Sequence, residues 1–280
     1  MELKSLNKSN SKFFLEQGYL VMPSLINKNI SLEISKALED KGTGSFDMQS
    51  TIKTNSVINI IFNKKLNAIL KLLFNSSEYT LHHITSALHT TQTPNLSWHH
   101  DKVTTYSKKK QGLMIHALIY PSGMNKEIGE LLLIPQSHAW NVDRYQLSNI
   151  PLDAFESQSI STLPYGSVVF INSSLIHARR SLPCNSTYSR RHFIDVSFCQ
   201  NQLKWEPYLE SNISWRKSFD LIGKGCKEKQ SIHTKLLDKK PYEIPLLIKY
   251  LPFSIQRKYY LLRSFIYRRL YSTKSSKSEF

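Results

Sequence analysis

The chain has 280 residues, 40% hydrophobic and 21% charged, with 37 Lys and Arg against 21 Asp and Glu for a formal net charge of +16. This is enough chain for one large domain or two small ones, and its composition is that of a soluble globular protein. No apolar run approaches the roughly 18 residues that span a bilayer, the first ten residues lack the apolar core of a signal peptide, and three cysteines at scattered positions, Cys184, Cys199 and Cys226, argue against a disulfide framework or zinc site and for a cytoplasmic setting.

In chain order, residues 8–18 read as a short helix carrying Phe13, Phe14 and Leu15, stopped by Gly18 as a C-cap. Tyr19-Leu20-Val21-Met22-Pro23 reads as a strand ended by proline. Residues 29–40 form an amphipathic helix with Ile30, Leu32, Ile34 and Leu38 for burial and Asn29 or Ser31 as cap, broken by Gly42 and Gly44. Residues 64–74 carry Leu66, Ile69, Leu70 and Leu73 at helical spacing. After Ser77 the character changes. Tyr79 to Thr90, Leu113 to Tyr120, Gly129 to Pro135, Ser159 to Leu163, Ser167 to Ile171 and Arg190 to Cys199 are rich in β-branched and aromatic residues and read as strands. Strands separated by turn residues, with no helices between them, argue for an antiparallel barrel or sandwich. The fold class expected is mainly β with flanking helices, a jelly-roll core with helices on one face.

Past Cys199 the pattern weakens. Residues 223–243 read as an exposed loop, and Ser254 to Tyr271 as a helix with the apolar stripe Ile255, Tyr259, Leu262, Ile266 and Leu270. Residues 201–280 hold 17 Lys and Arg against 7 Asp and Glu, which suits an acidic partner or simply a solvated basic surface. The organisation expected is one domain over 1–245, with a basic helix and tail over 246–280 packed on it. That helix also has the features of one that makes weak contact with a membrane surface. No zinc finger or nucleotide-binding glycine loop supports specific nucleic-acid recognition.

The chemistry concentrates in Trp98-His99-His100-Asp101. In an extended segment, residues two apart share a face, so His99 and Asp101 project together and His100 points away. An imidazole and a carboxylate so placed supply two of the three donors of the facial triad that holds non-haem Fe(II). The third should be a distant histidine, and His177 follows the strand-like run Gly166 to Ile171.

Taken in order, these parts resemble the phytanoyl-CoA dioxygenase family of Fe(II)/2-oxoglutarate oxygenases over roughly residues 13–200. The resemblance is carried by Glu16-Gln17-Gly18-Tyr19-Leu20-Val21, by the His99-x-Asp101 motif, by Gly129-Glu130-Leu131-Leu132-Leu133-Ile134-Pro135-Gln136-Ser137-His138, and by Asn185-Ser186-Thr187-Tyr188-Ser189-Arg190-Arg191. Gln136 stands where the family usually has glycine, and the stretch from His177 to Asn185 is about three residues longer than usual. The resemblance implies a double-stranded β-helix (jelly-roll, cupin-like) core. It implies that His99, Asp101 and His177 hold Fe(II) and do the catalysis, with His138 belonging to a turn. Arg191, rather than Arg190, would receive the far carboxylate of 2-oxoglutarate, with Ser181 as a further candidate contact. The implied reaction converts 2-oxoglutarate and O2 to succinate and CO2 while a small organic substrate is hydroxylated. Related halogenases lack the carboxylate ligand, so Asp101 favours hydroxylation. Lys102, Lys108-Lys109-Lys110 and Arg179-Arg180 would suit an anionic substrate. The alternatives are a jelly-roll binding protein without turnover and a basic membrane-peripheral protein.

Overall fold

The structure is a computed structural model that describes residues 8–46, 50–51, 53–77, 79–101, 113–140, 142, 147–181 and 190–200. The expected C-terminal helix, the loop at 223–243, Lys102 and Lys108–Lys110 lie outside the described residues. No helix among the described residues is long and apolar enough to cross a membrane.

Helix α1 spans Lys8–Gln17. It ends where Gly18 turns left-handed at φ +82° and its N–H donates to the Phe14 carbonyl, as a glycine C-cap should. Strand β1, Tyr19–Met22, follows. Helix α2, Lys28–Glu39, is capped by Asn27, whose side chain accepts from the Asn29 N–H, and not by Asn29 or Ser31. Its buried stripe is Ser31, Ile34, Ser35 and Leu38, while Ile30 and Leu32 are exposed. The turn of the helix chose two small serines over two large apolar residues because α2 lies close against what it covers. After β2 (Gly44–Phe46) and two short helical turns, Asn55–Ile58 and Asn59–Phe62, comes α3, Lys64–Phe74. Leu66, Ile69, Leu70 and Leu73 are all buried along it.

Eight further strands complete the fold: β3 Tyr79–Thr90, β4 Leu96–His99, β5 Met114–Tyr120, β6 Glu130–Leu133, β7 Gln158–Ile160, β8 Ser167–Asn172, β9 His177–Arg180 and β10 Arg190–Gln200. They form a six-stranded sheet in the order β1-β8-β5-β10-β3-β2 and a four-stranded sheet in the order β4-β9-β6-β7. All pairings are antiparallel, and the two sheets make a jelly roll.

The period of two sorts the large sheet into two faces. Ile115, Ala117, Ile119, Val168, Phe170, Ile194, Val196 and Phe198 join Leu38, Leu66, Ile69 and Leu70 of the helices in one apolar cluster. The alternate residues Leu118, Tyr120, Val169 and Ile171 meet Leu131 and Leu133 of the small sheet inside the sandwich. Gly129 sits where β6 begins against β9, at φ +105°. A Cβ there would lie 2.1 Å from the Arg180 carbonyl oxygen, so the approach of these two strands admits only glycine.

Candidate metal and anion site

Beside Leu118, Tyr120 and Leu131 the sandwich opens into a cavity of about 560 Å³, lined from both sheets. The small sheet contributes His99 from the end of β4, Asp101 just beyond it, and His177 and Arg179 from β9. The large sheet contributes His83 and His89 from β3, Tyr120 from β5, and Arg191, Phe193 and Asp195 from β10.

Strand pairing sets the two histidines opposite each other, His99 against His177, with ring centroids 4.2 Å apart. His99 Nδ1 donates to the Ser97 carbonyl at 2.7 Å and His177 Nδ1 donates to the Leu175 carbonyl at 3.0 Å. These contacts orient each ring and leave Nε2 as the nitrogen turned toward Asp101. Both Nε2 atoms face Asp101: His177 Nε2 is 3.3 Å from Asp101 Oδ2 and His99 Nε2 is 4.0 Å from Asp101 Oδ1. One donor atom from each of the three residues lies within 4.8 Å of the others, a spacing that one metal ion can bridge. Burial alone would raise the pKa of Asp101, but His116, His177 and His99 outweigh it and hold the carboxyl well below the usual range. An ionised carboxylate and two neutral imidazole donors are what a divalent transition metal requires.

His116 supports this group from beneath. It is fully buried, with Nδ1 2.9 Å from Asp195 Oδ1 and 3.9 Å from Asp101 Oδ2. Across the cavity, Arg191 is 3% exposed, and its Nη2 lies 3.3 Å from His89 Nδ1. Among the described residues no carboxylate pairs with it, and burial lowers its pKa. His89 is in turn pushed down to about 3, first by burial and then by Arg179 and Arg191, so it is a neutral ring and does not neutralise the guanidinium. A buried cation facing open space without a counter-charge is the electrostatic mark of a site for an anion.

The residues singled out from sequence are therefore brought together in the main. His99, Asp101 and His177 meet, and Arg191 faces the cavity while Arg190 is exposed. Ser181 is not part of the site. Its N–H donates to Asn95 Oδ1 and its hydroxyl donates to the Thr93 carbonyl, tying the end of β9 to the turn before β4. Arg179, two residues after His177 and on the same strand face, is the side chain that reaches the cavity. His138 donates through Nε2 to the Leu15 carbonyl, at the seam between α1 and the turn after β6. Trp98 is buried on the outer side of the small sheet with Leu132, Ile134 and Ile176, donating from Nε1 to the Pro151 carbonyl. His100 points away, with Nε2 donating to the Val142 carbonyl.

His83, His89, His116 and Asp195 were not singled out as site residues by sequence, and Arg179 only as half of a basic pair suited to an anionic substrate. The parity of residues two apart marks Arg179 from His177 and Asp195 from Arg191. For His116 the mark is the apolar parity of Ile115, Ala117 and Ile119, which turns it inward. On β3, His89 is marked by its place directly opposite Arg191, whereas His83 lies beside the register shift between Ser197 and Phe198 of β10, which interrupts the ladder there.

A family model described as phytanoyl-CoA dioxygenase (PhyH) matches residues 31–192. No curated protein sequence matches the chain. Among solved structures, HygX from Streptomyces hygroscopicus with iron bound is similar at 16% identity and a TM-score of 0.57, over 70% of this chain and 87% of that one. The same protein has been solved with nickel, 2-oxoglutarate and hygromycin B, at 17% identity and a TM-score of 0.56, over 70% and 88%. SnoK, a non-heme alpha ketoglutarate dependent carbocyclase from nogalamycin biosynthesis, is similar at 16% identity and a TM-score of 0.57, over 74% and 89%. At these identities the likeness shows the fold.

Proposed function

Because the chain belongs to the phytanoyl-CoA dioxygenase family, we propose that it is an Fe(II)- and 2-oxoglutarate-dependent oxygenase that hydroxylates a small organic substrate. The observation that carries this reading is the convergence of His99, Asp101 and His177 donor atoms within 4.8 Å. Two imidazoles and one carboxylate fit Fe(II), and these three residues would hold it while leaving room for co-substrate and O2. Iron held there supplies the activation of O2, with 2-oxoglutarate as the electron source that ends as succinate and CO2.

The protein's own work is binding, orientation and exclusion of water. The Ser97 and Leu175 carbonyls hold the two imidazoles in one orientation. Arg191 supplies a fixed, permanently charged partner for the far carboxylate of 2-oxoglutarate, and its burial strengthens that pairing. Tyr120, Phe193 and Leu118 line the cavity and give it an apolar wall. Hydroxylation is the outcome proposed. A carbocyclase and an epimerase share the fold, so the outcome in this family of shapes is set by what the cavity places beside the metal.

The test is anaerobic titration of the full chain with Fe(II) and 2-oxoglutarate. A metal-to-ligand charge-transfer band that requires both, followed by succinate release on admission of O2, supports the reading. A protein that binds neither sinks it in favour of a jelly-roll binding protein.

A further inference from the structure

We propose that Arg179 is a second anion-binding residue of the cavity and that, with Arg191, it forms a two-armed clamp on the distal carboxylate of the co-substrate. The inference rests on the 2-oxoglutarate reading above and extends it to a residue that the reading does not use.

Arg179 lies on β9 two residues after His177, so strand geometry turns it to the same inner face. Its Nη1 is 3.2 Å from His89 Nδ1 and 3.0 Å from His89 Nε2, and its Nη2 donates to the Pro94 carbonyl. Arg191, on β10 of the opposite sheet, reaches the same His89 Nδ1. The two guanidiniums therefore approach one atom from two sheets and lie within a carboxylate's span of each other. Neither has a carboxylate partner among the described residues, and the Nε of each is buried without a hydrogen bond. The neighbouring side chain Arg180 shows that the fold can supply one: facing the other way, it pairs with Glu130 at 3.7 Å. Inside the cavity the fold instead sets the two cations together around a neutral ring that is itself stacked on Phe193.

Two like charges in a poorly hydrated wall repel, and an anion between them removes the cost to both at once. A carboxylate offers two oxygens and about four lone-pair directions, so it can accept from one guanidinium through each oxygen. Any carboxylate that meets Arg191 beside His89 also stands in the field of Arg179. The clamp makes the site demand a dianionic co-substrate, with one carboxylate at the metal donors and one between the arginines.

The test uses the full chain loaded with Fe(II) under argon, with binding read from the charge-transfer band in the absence of prime substrate. The probes are 2-oxoglutarate and 2-oxovalerate, which lacks the distal carboxylate. Arg179→Gln should weaken 2-oxoglutarate by roughly 10- to 100-fold, leave 2-oxovalerate unchanged and leave iron stoichiometry intact, and Arg179→Lys should recover part of the loss. Equal losses for both acids would make Arg179 a general structural support and overturn the clamp. Unchanged 2-oxoglutarate binding would also overturn it. A wild-type protein without any 2-oxoglutarate signal overturns the co-substrate reading itself, and the clamp with it. If Arg179→Gln does not fold, an anaerobic wild-type crystal structure with 2-oxoglutarate decides. Carboxylate oxygens within hydrogen-bond distance of both guanidiniums support the clamp, and contact with Arg191 alone refutes it.

Discussion

Replacing Arg191 by Met should move stability and co-substrate affinity in opposite directions. In the protein without co-substrate, the Arg191 guanidinium is 3% exposed, faces the neutral ring of His89 and has no carboxylate partner among the described residues. Methionine has a comparable apolar stem and no charge to desolvate, so the variant should be about 1–3 kcal/mol more stable in urea denaturation. With Fe(II) bound, the distal carboxylate of 2-oxoglutarate would then enter a wall that has lost its most buried cation. Removing one partner of such a pair costs about 3–5 kcal/mol, and Arg179 remains to hold part of it. The expected loss is therefore at the low end, roughly 100- to 300-fold in 2-oxoglutarate affinity. Iron binding should not change, because Arg191 is not among the donors. A variant that is less stable than wild type yet binds 2-oxoglutarate normally would refute the reasoning, since it would make Arg191 a structural residue with a partner of its own.

Three further outcomes are expected. His99→Ala, Asp101→Ala and His177→Ala should each lose stoichiometric iron by metal analysis, while His138→Ala retains it; the reverse for His177 and His138 would reassign the distal donor. Gly129→Ala should destabilise the fold by about 3 kcal/mol in thermal or chemical unfolding, because φ +105° and a backbone oxygen 2.1 Å from the new Cβ add strain to overlap; a change under about 0.5 kcal/mol would show that β6 and β9 part easily. His89, held neutral down to about pH 3 in the folded chain, takes up a proton near pH 6.5 once unfolded. Its contribution to stability is thus fully present above pH 6.5 and is lost as pH falls toward 3, at up to about 1.4 kcal/mol per unit. Urea midpoints between pH 7.5 and 5.0 should fall more steeply in wild type than in His89→Gln, and parallel slopes would show that His89 is protonated in the folded state.

Much of this architecture is legible in residue order because the chemistry and the period coincide. Helix α3 needed only Leu66, Ile69, Leu70 and Leu73 at helical spacing, and β10 only the alternation of Phe193 and Asp195 against Ile194, Val196 and Phe198. The triad was legible because His99 and Asp101 are two apart and His177 opens a strand. Other features were hidden for physical reasons. Strand β2 is three residues of Gly-Ser-Phe, too short for a pattern and held by its pairing with β3. The buried serines of α2 give no hydrophobic mark, since a tightly packed helix face favours small side chains over apolar ones. Ser181, offered as a candidate contact, is turned instead to Asn95 and Thr93, which residue order does not reveal. Arg179 was legible only as half of an Arg-Arg pair that would suit an anion, and it is strand parity that sends one side chain inward and leaves the other with Glu130.

The residues that would grip the two ends of the co-substrate belong to different sheets. The three candidate donors stand on β4, on β9 and two residues past the end of β4, whereas Arg191 rides on β10 of the large sheet. A ligand held at both ends would act as a cross-brace between the two sheets that line the cavity. Loading the cavity should then slow amide hydrogen exchange in β9 and β10 alike, at opposite walls, although only one of the two strands carries a metal donor.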